Sequence, residues 1–255
     1  MNVSLAYLSP LSVSSLVGIE HFTALTYLDC SGSQLTALDV SKNAALTVLD
    51  CSGAALTKLD VSNCTMLARF GCSHNQLKEL DVSTCPALKW FNCDKNVLTK
   101  LDVSKNAALT VLNCEDNQLK ELDVSGLDKL YLLYCQNNEL TTLNLSGCIS
   151  FTNLNCSNNN LTELDLPVPD QYSFVRLEAT GNNLTYVDLS NYSVTGYASL
   201  LLGSQVVPVT LTNDGKGTYS ASIRIGELTD DPPEGAAYTL VEGEPMGTLM
   251  VTDTS

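Results

Sequence analysis

Leu25-Thr26-Tyr27-Leu28-Asp29-Cys30-Ser31-Gly32-Ser33-Gln34-Leu35-Thr36-Ala37-Leu38-Asp39-Val40-Ser41 returns 21 residues later as Leu46-Thr47-Val48-Leu49-Asp50-Cys51-Ser52-Gly53-Ala54-Ala55-Leu56-Thr57-Lys58-Leu59-Asp60-Val61-Ser62. The first apolar position continues through Leu67, Leu88, Leu109, Leu130 and Phe151. The sulfur position reads Cys30, Cys51, Cys72, Cys93, Cys114, Cys135 and Cys156 without a slip. Seven copies of one residue type at a fixed period mark a solenoid whose turns stack on one another. An asparagine position keeps the same spacing, through Asn75, Asn96, Asn117, Asn138 and Asn159.

Outward from these seven turns the spacing loosens. Phe174, Leu177, Ala179, Asn182 and Leu184 fit a turn displaced by 23 residues, and Tyr197, Leu200, Leu202, Gln205 and Val207 fit another. Val3, Ala6, Leu8, Leu11 and Val13 fit a first turn 22 residues before Leu25, which makes ten rungs in all. Degenerate ends suit a solenoid, because its last rungs face solvent instead of a neighbour.

Side-chain alternation gives each residue a direction. Leu28 and Cys30 point inward, and Tyr27, Asp29 and Ser31 point outward. One 21-residue turn cannot bury its own apolar residues, whereas ten stacked turns share a continuous core. At about 4.8 Å between strands, ten rungs span roughly 45 Å. The asparagine amides, held inside the turns, can satisfy backbone groups that would otherwise be buried unpaired. A turn this short has no room for a long helix. Its convex side is expected to be short extended or 3-10 segments, with Leu38-Asp39-Val40-Ser41 as the representative stretch.

The pattern L-x-x-L-x-C-x-x-N-x-L resembles the leucine-rich repeat, with cysteine in the third apolar slot. The period of 21, that cysteine and the L-T-x-L-D-V-S convex half, clean at Leu98-Thr99-Lys100-Leu101-Asp102-Val103-Ser104, resemble the internalin J type of bacterial surface repeat. Gly18-Ile19-Glu20-His21-Phe22 resembles the link into the first regular repeat of that group. The resemblance covers about residues 3 to 207 and departs at the start, where no helical cap is apparent, and after residue 207. It implies a right-handed leucine-rich repeat solenoid with a parallel concave sheet, in a cell-surface adhesion or recognition protein. Residues 1–207 form the solenoid on this reading, and 208–255 a small β-rich segment.

From Pro208 the period is lost. Val206 to Leu211, Thr218 to Ile225, Tyr238 to Val241 and Thr248 to Thr252 read as strands, with a hairpin signal at Asn213-Asp214-Gly215-Lys216-Gly217. Fewer than 50 residues make a marginal core, so this segment is expected to cap the open sheet edge, or to be part of an immunoglobulin-like module.

A net charge of −15 argues against nucleic acid and anionic membranes as partners. No apolar run approaches the 18 residues of a membrane-spanning helix. The opening Met1-Asn2-Val3-Ser4 lacks a positive n-region, which leaves a cytosolic chain or an exported one whose signal lies elsewhere. The resemblance favours the second, with an extracellular or cell-surface location. The stop at Val251-Thr252-Asp253-Thr254-Ser255 suggests a longer parent.

Ten cysteines raise the question of metal or redox chemistry. No Cys-x-x-Cys pair of zinc spacing occurs, and seven ladder cysteines cannot all pair. Cysteine therefore reads as a small hydrophobe filling a narrow inward slot. Cys64, Cys85 and Cys148 share a second position, in the turn after the convex half; a disulfide between Cys64 and Cys85 is not expected. Cys72 and His74 do not form a nucleophile and base, since one points inward and the other outward. No phosphate loop, H-E-x-x-H or G-x-S-x-G occurs, so the reading includes neither catalysis nor a cofactor. The aspartate column Asp39, Asp60, Asp81, Asp102, Asp123, Asp165 and Asp188 reads as local caps for neighbouring backbone N–H groups and serines, not as a calcium ladder.

The outward positions carry the functional signal. They read Tyr27, Val48, Arg69, Trp90, Val111, Leu132, Asn153, Arg176 in the first column. The second is Asp29, Asp50, Gly71, Asn92, Asn113, Tyr134, Asn155, Glu178, and the third Ser31, Ser52, Ser73, Asp94, Glu115, Gln136, Ser157, Thr180. The chain's one tryptophan thus falls on the solvent side beside Val111, Leu132 and Tyr134. An apolar and aromatic cluster rimmed by polar and charged residues has the composition of an interface hot spot. The expected partner-binding set is Arg69, Trp90, Asn92, Val111, Asn113, Glu115, Leu132, Tyr134 and Gln136. The partner is expected to be a protein of a host or a bacterial surface; a glycan, or a spacer role without a ligand, are the alternatives.

Overall fold

The computed structural model describes residues 13–167 and 176–185 in full, and the backbone of the strands 5–7, 187–193, 199–201, 206–213 and 217–224. Ten parallel strands form one sheet, in the order Leu5–Tyr7, Tyr27–Asp29, Val48–Asp50, Arg69–Gly71, Trp90–Asn92, Val111–Asn113, Leu132–Tyr134, Asn153–Asn155, Arg176–Glu178 and Ser199–Leu201. Each strand pairs with the same residues of the next rung, as in Arg69 with Trp90 and Trp90 with Val111, so the outward columns run straight across the sheet. The chain is a leucine-rich repeat solenoid.

The core is the expected stack. Leu28, Leu49, Phe70, Phe91, Leu112, Leu133 and Leu154 line one inner column, each 0 or 1% exposed. Phe70 and Phe91 stack at 5.3 Å with an 8° angle between ring planes. The seven ladder cysteines lie beside this column, all 0% exposed. Their thiols are not idle fillers: Sγ of Cys51, Cys72, Cys93 and Cys135 donates to the carbonyl of Gly71, Asn92, Asn113 and Asn155 on the next rung, at 3.4–3.6 Å.

Each ladder asparagine closes its turn from within. Asn117 Nδ2 donates to the carbonyls of Cys93, Cys114 and Glu115, each at 3.1 Å, and Oδ1 accepts from Leu98 N–H at 3.0 Å. Asn75, Asn96, Asn138 and Asn159 repeat the arrangement. The preceding residue takes a positive φ on every regular rung, at His74, Lys95, Asp116, Asn137 and Asn158 as well as Gly32 and Gly53.

On the convex side the extended form prevails. Ala37–Asp39 pairs with Lys58–Asp60, and Glu121–Asp123 with Thr142–Asn144. Among the described residues the one 3-10 helix, Ile19–His21, stands in the link before the first regular rung. Asp39, Asp60, Asp81, Asp102 and Asp123 each accept from the N–H of the serine two residues on, at 2.8 or 2.9 Å. The Ser41 and Ser104 hydrogen bonds hold the carboxyls of Asp39 and Asp102 below their ordinary range. This is the local capping expected of the column.

Cys64, Cys85 and Cys148 belong to a second inner column that includes Asn43, Asn106 and Leu127, all buried. Asn43 Nδ2 donates to Ile19 O and Phe22 O, and Asn106 Nδ2 to Val82 O and Cys85 O. Cys64 and Cys148 use the same position to donate to Val40 O and Val124 O. A donor at this point closes the outer corner of the turn, which is why cysteine and asparagine interchange there. All ten cysteines are free thiols.

Beyond the solenoid, Val206–Asn213 and Gly217–Arg224 pair antiparallel, with Asn213 opposite Gly217, at the position of the hairpin signal. The strands expected at 238–241 and 248–252 lie outside the described residues.

Candidate binding face

Register places all nine sequence-selected residues on four consecutive rungs. Trp90, Asn92; Val111, Asn113, Glu115; and Leu132, Tyr134, Gln136 follow one another, with Arg69 on the rung before. Their depths differ from a uniformly exposed patch. Val111 is 8% exposed, because the larger side chains of Trp90 and Leu132 on either side close over it. Trp90 is half-buried, and the Arg69 guanidinium lies 4.0 Å from its ring centroid. The expected exposed cluster is therefore a low apolar band, with Arg69 as its lid at one end and Leu132 and Tyr134 partly open at the other. A cation over an indole face contributes ~0.5–1 kcal/mol at an exposed site.

The second column is more structural than its amides suggest. Oδ1 of Asn92 and Asn113 accepts from the N–H of Asp94 and Glu115, and Oδ1 of Asn155 from Ser157 N–H. These Asx turns end the strands and fix the third column. Asn155 Nδ2 is also committed, to the carboxylate of Glu178, which forms an ion pair with Arg176.

Asp94, outside the sequence-selected set, is the most deeply placed charge on the face at 5% exposure. His74 Nε2 stands 3.9 Å from its Oδ2. Glu115 lies on the next rung and accepts from Gln136 Nε2. Burial pushes the Glu115 carboxyl above its ordinary range, and the charges of Asp94 and Asp116 push it further the same way. A carboxyl whose folded pKa is raised adds stability only when protonated, and that contribution is lost as pH rises through the folded value. Glu115→Gln is accordingly expected to raise the melting temperature at pH 7 by about 1–3 °C. The gain should disappear below the ordinary glutamate range. Thermal unfolding monitored at pH 7 and pH 3 measures both, and a variant less stable than wild type at pH 7 contradicts the account.

The ladder offers no reactive thiolate at neutral pH. Burial, with Asp29 and Asp50 nearby, pushes the Cys30 thiol up to about 12, and burial beside Glu115 does the same to Cys114. Among the described residues no group of three or more His, Cys, Asp or Glu is arranged to hold a metal ion. No helix among them is long and apolar enough to cross a membrane.

No family model matches the chain, and neither does any curated protein. Solved structures do. The functional domain of internalin J (InlJ) from Listeria monocytogenes, which includes a cysteine ladder, is 33% identical, with a TM-score of 0.63, over 76% of this chain and 47% of that one. This chain thus spans about half the length of that domain. The leucine-rich effector protein YopM of Yersinia pestis is 27% identical, with a TM-score of 0.58, over 77% of this chain and 58% of that one. An internalin from Listeria monocytogenes, inlF, shares the fold at 18% identity and a TM-score of 0.51, over 80% and 75%.

Proposed function

We propose that this leucine-rich repeat solenoid, with internalin J-like 21-residue repeats and a cysteine ladder, is a non-enzymatic protein-binding module that recognises its partner through the concave face. The single observation that carries the reading is the band made by Trp90, Val111, Leu132 and Tyr134 on adjacent rungs of one parallel sheet. Aromatic and aliphatic groups held in register by a hydrogen-bonded sheet are pre-organised, so binding costs little side-chain entropy. The polar neighbours Arg69, Glu115 and Gln136 form the rim that such a band needs to exclude water.

A protein ligand is favoured over a glycan by two details. Sugar stacking needs an open aromatic face, and Arg69 lies over that of Trp90. Sugar hydroxyls are best met by amides free on both atoms, and Oδ1 of Asn92, Asn113 and Asn155 each already accepts from a backbone N–H in an Asx turn. Likeness to internalin J supports export to a bacterial surface, with residues 208–255 as a separate capping segment.

The test is a comparison of immobilised wild type and the Trp90→Ala/Tyr134→Ala double variant in the same host-cell extract. Wild type is expected to retain a protein for which the variant has at least about 100-fold lower affinity, two aromatic anchors that the partner would bury being removed. Equal retention by two folded baits rejects the site.

A further inference from the structure

The third outward column contains an arrangement that the apolar band does not explain. Ser73, Asp94, Glu115 and Gln136 stand side by side on four rungs, fixed by the bonds from His74 N to Asp94 O, Lys95 N to Glu115 O and Asp116 N to Gln136 O, at 2.9–3.1 Å. Neighbours in such a column are about 4.8 Å apart. Two carboxylates at that separation repel, and Asp94 is 5% exposed. Unpartnered oxygens lie on both flanks as well, although Gln136 turns its Nε2 to Glu115. Ser73, itself 5% exposed, and Gln136 hold Oγ and Oε1 buried with no hydrogen-bond partner.

The slot lacks an opposing charge. Glu115 receives neutral hydrogen bonds from Gln136 and Asn113, and Lys95 is near enough only to offset part of the effect of burial. His74 lies beyond hydrogen-bond reach of Asp94. A row of hydroxyl, carboxylate, carboxylate and amide oxygen, partly withdrawn from water, is costly when empty and matches a group that brings several N–H donors and a positive charge. An ammonium or guanidinium does so; calcium asks for six to eight oxygen ligands, and among the described residues no group of three or more His, Cys, Asp or Glu is arranged to hold a metal ion.

We propose that Ser73, Asp94, Glu115 and Gln136 form a slot for one lysine or arginine side chain of the partner protein, while an apolar side chain of the same partner segment seats on the Trp90–Val111–Leu132 band. The inference rests on the reading of the concave face as a protein-docking surface, and supplies the partner's chemistry. Trp90 opens its strand and Asp94 stands two residues past the strand's end, beyond the Asx turn at Asn92, at most roughly 13 Å away. The partner segment therefore carries an apolar and a basic residue at that separation, the i and i+4 positions of an extended stretch. The chain's net charge of −15 favours approach of such a segment.

The probes are the peptides acetyl-Leu-Gly-Gly-Gly-Lys-amide, its arginine counterpart, and a control with norleucine in place of lysine. Each is titrated at low salt into isotopically labelled protein while backbone amide shifts are followed. The two basic peptides are expected to bind at least fivefold more tightly than the norleucine peptide, moving the amides of Ser73, Asp94, Glu115 and Gln136. In Asp94→Asn/Glu115→Gln the preference should vanish, with the melting temperature confirming that the variant is folded. Equal binding of lysine and norleucine peptides, no binding by any of them up to 10 mM, or undiminished preference in the double variant overturns the slot. So does displacement of the lysine peptide by 1 mM calcium chloride with shifts at the same amides, which would make it a metal site. With a captured partner the two claims separate. Loss on Trp90→Ala/Tyr134→Ala with no effect of Asp94→Asn/Glu115→Gln keeps the docking face and rejects the slot; the opposite pattern keeps the slot and rejects the band.

Discussion

Replacing Asn117 by alanine should lower unfolding free energy by ~3–5 kcal/mol, since leaving a single buried backbone group unpaired costs ~1–3 kcal/mol. The side chain serves Leu98 N–H and the carbonyls of Cys93, Cys114 and Glu115 at once, and alanine serves none of them. Water cannot take over easily, because Asn117 is 8% exposed and its partners lie in the core. Aspartate is an instructive second substitution. It keeps the shape but faces three carbonyl oxygens with an acceptor, so at pH 7 it should be at least as damaging as alanine. Acid should relieve part of that loss by protonating it. Denaturant unfolding of both variants at pH 7 and pH 4 checks the pattern, and a loss under about 1 kcal/mol for alanine would show that the turn closes without its asparagine.

The second large effect is expected at Phe91→Ala. Phe91 is 0% exposed and stacks on Phe70, so truncation opens a cavity and removes an aromatic contact. Buried phenylalanine to alanine costs ~3–5 kcal/mol. Phe91→Leu should cost under about 1.5 kcal/mol, because the same column holds leucine at Leu112 and Leu133 and the rungs already accept that shape. Trp90, the chain's one tryptophan, is the adjacent residue, so its fluorescence reports the unfolding directly. Equal losses for alanine and leucine would mean that the column tolerates no change of side-chain shape.

The repeat made most of the fold legible. Cys93 says which way Phe91 and Trp90 point, and the paired strands reproduce that register rung by rung. What alternation could not supply is depth. It assigns Val111 to the outer face, but whether Val111 is covered depends on the size of its neighbours Trp90 and Leu132. It also puts Asp94 in the third column without showing that the turn beside it withdraws the carboxylate from water. The second inner column was legible only in part: Cys64, Cys85 and Cys148 stand out at a shared position, but Asn43, Asn106 and Leu127 do not join them by residue type. Asn43, Cys64, Cys85, Asn106, Leu127 and Cys148 share no side-chain class, and what unites most of them is a donor aimed at a neighbouring rung's carbonyl. The exact repetition of Ser-Lys-Asn-Ala-Ala-Leu at 41–46 and 104–109 was the signal that could have disclosed it.

The central claim is that a partner protein covers the Trp90 band, and hydroxyl-radical footprinting of the captured complex measures this most directly. Oxidation of Trp90 and Tyr134 should fall at least fivefold in the complex, while Met66, 57% exposed and outside the three columns, keeps its free rate. Unchanged oxidation of Trp90 and Tyr134, or protection confined to Met66, would contradict the account.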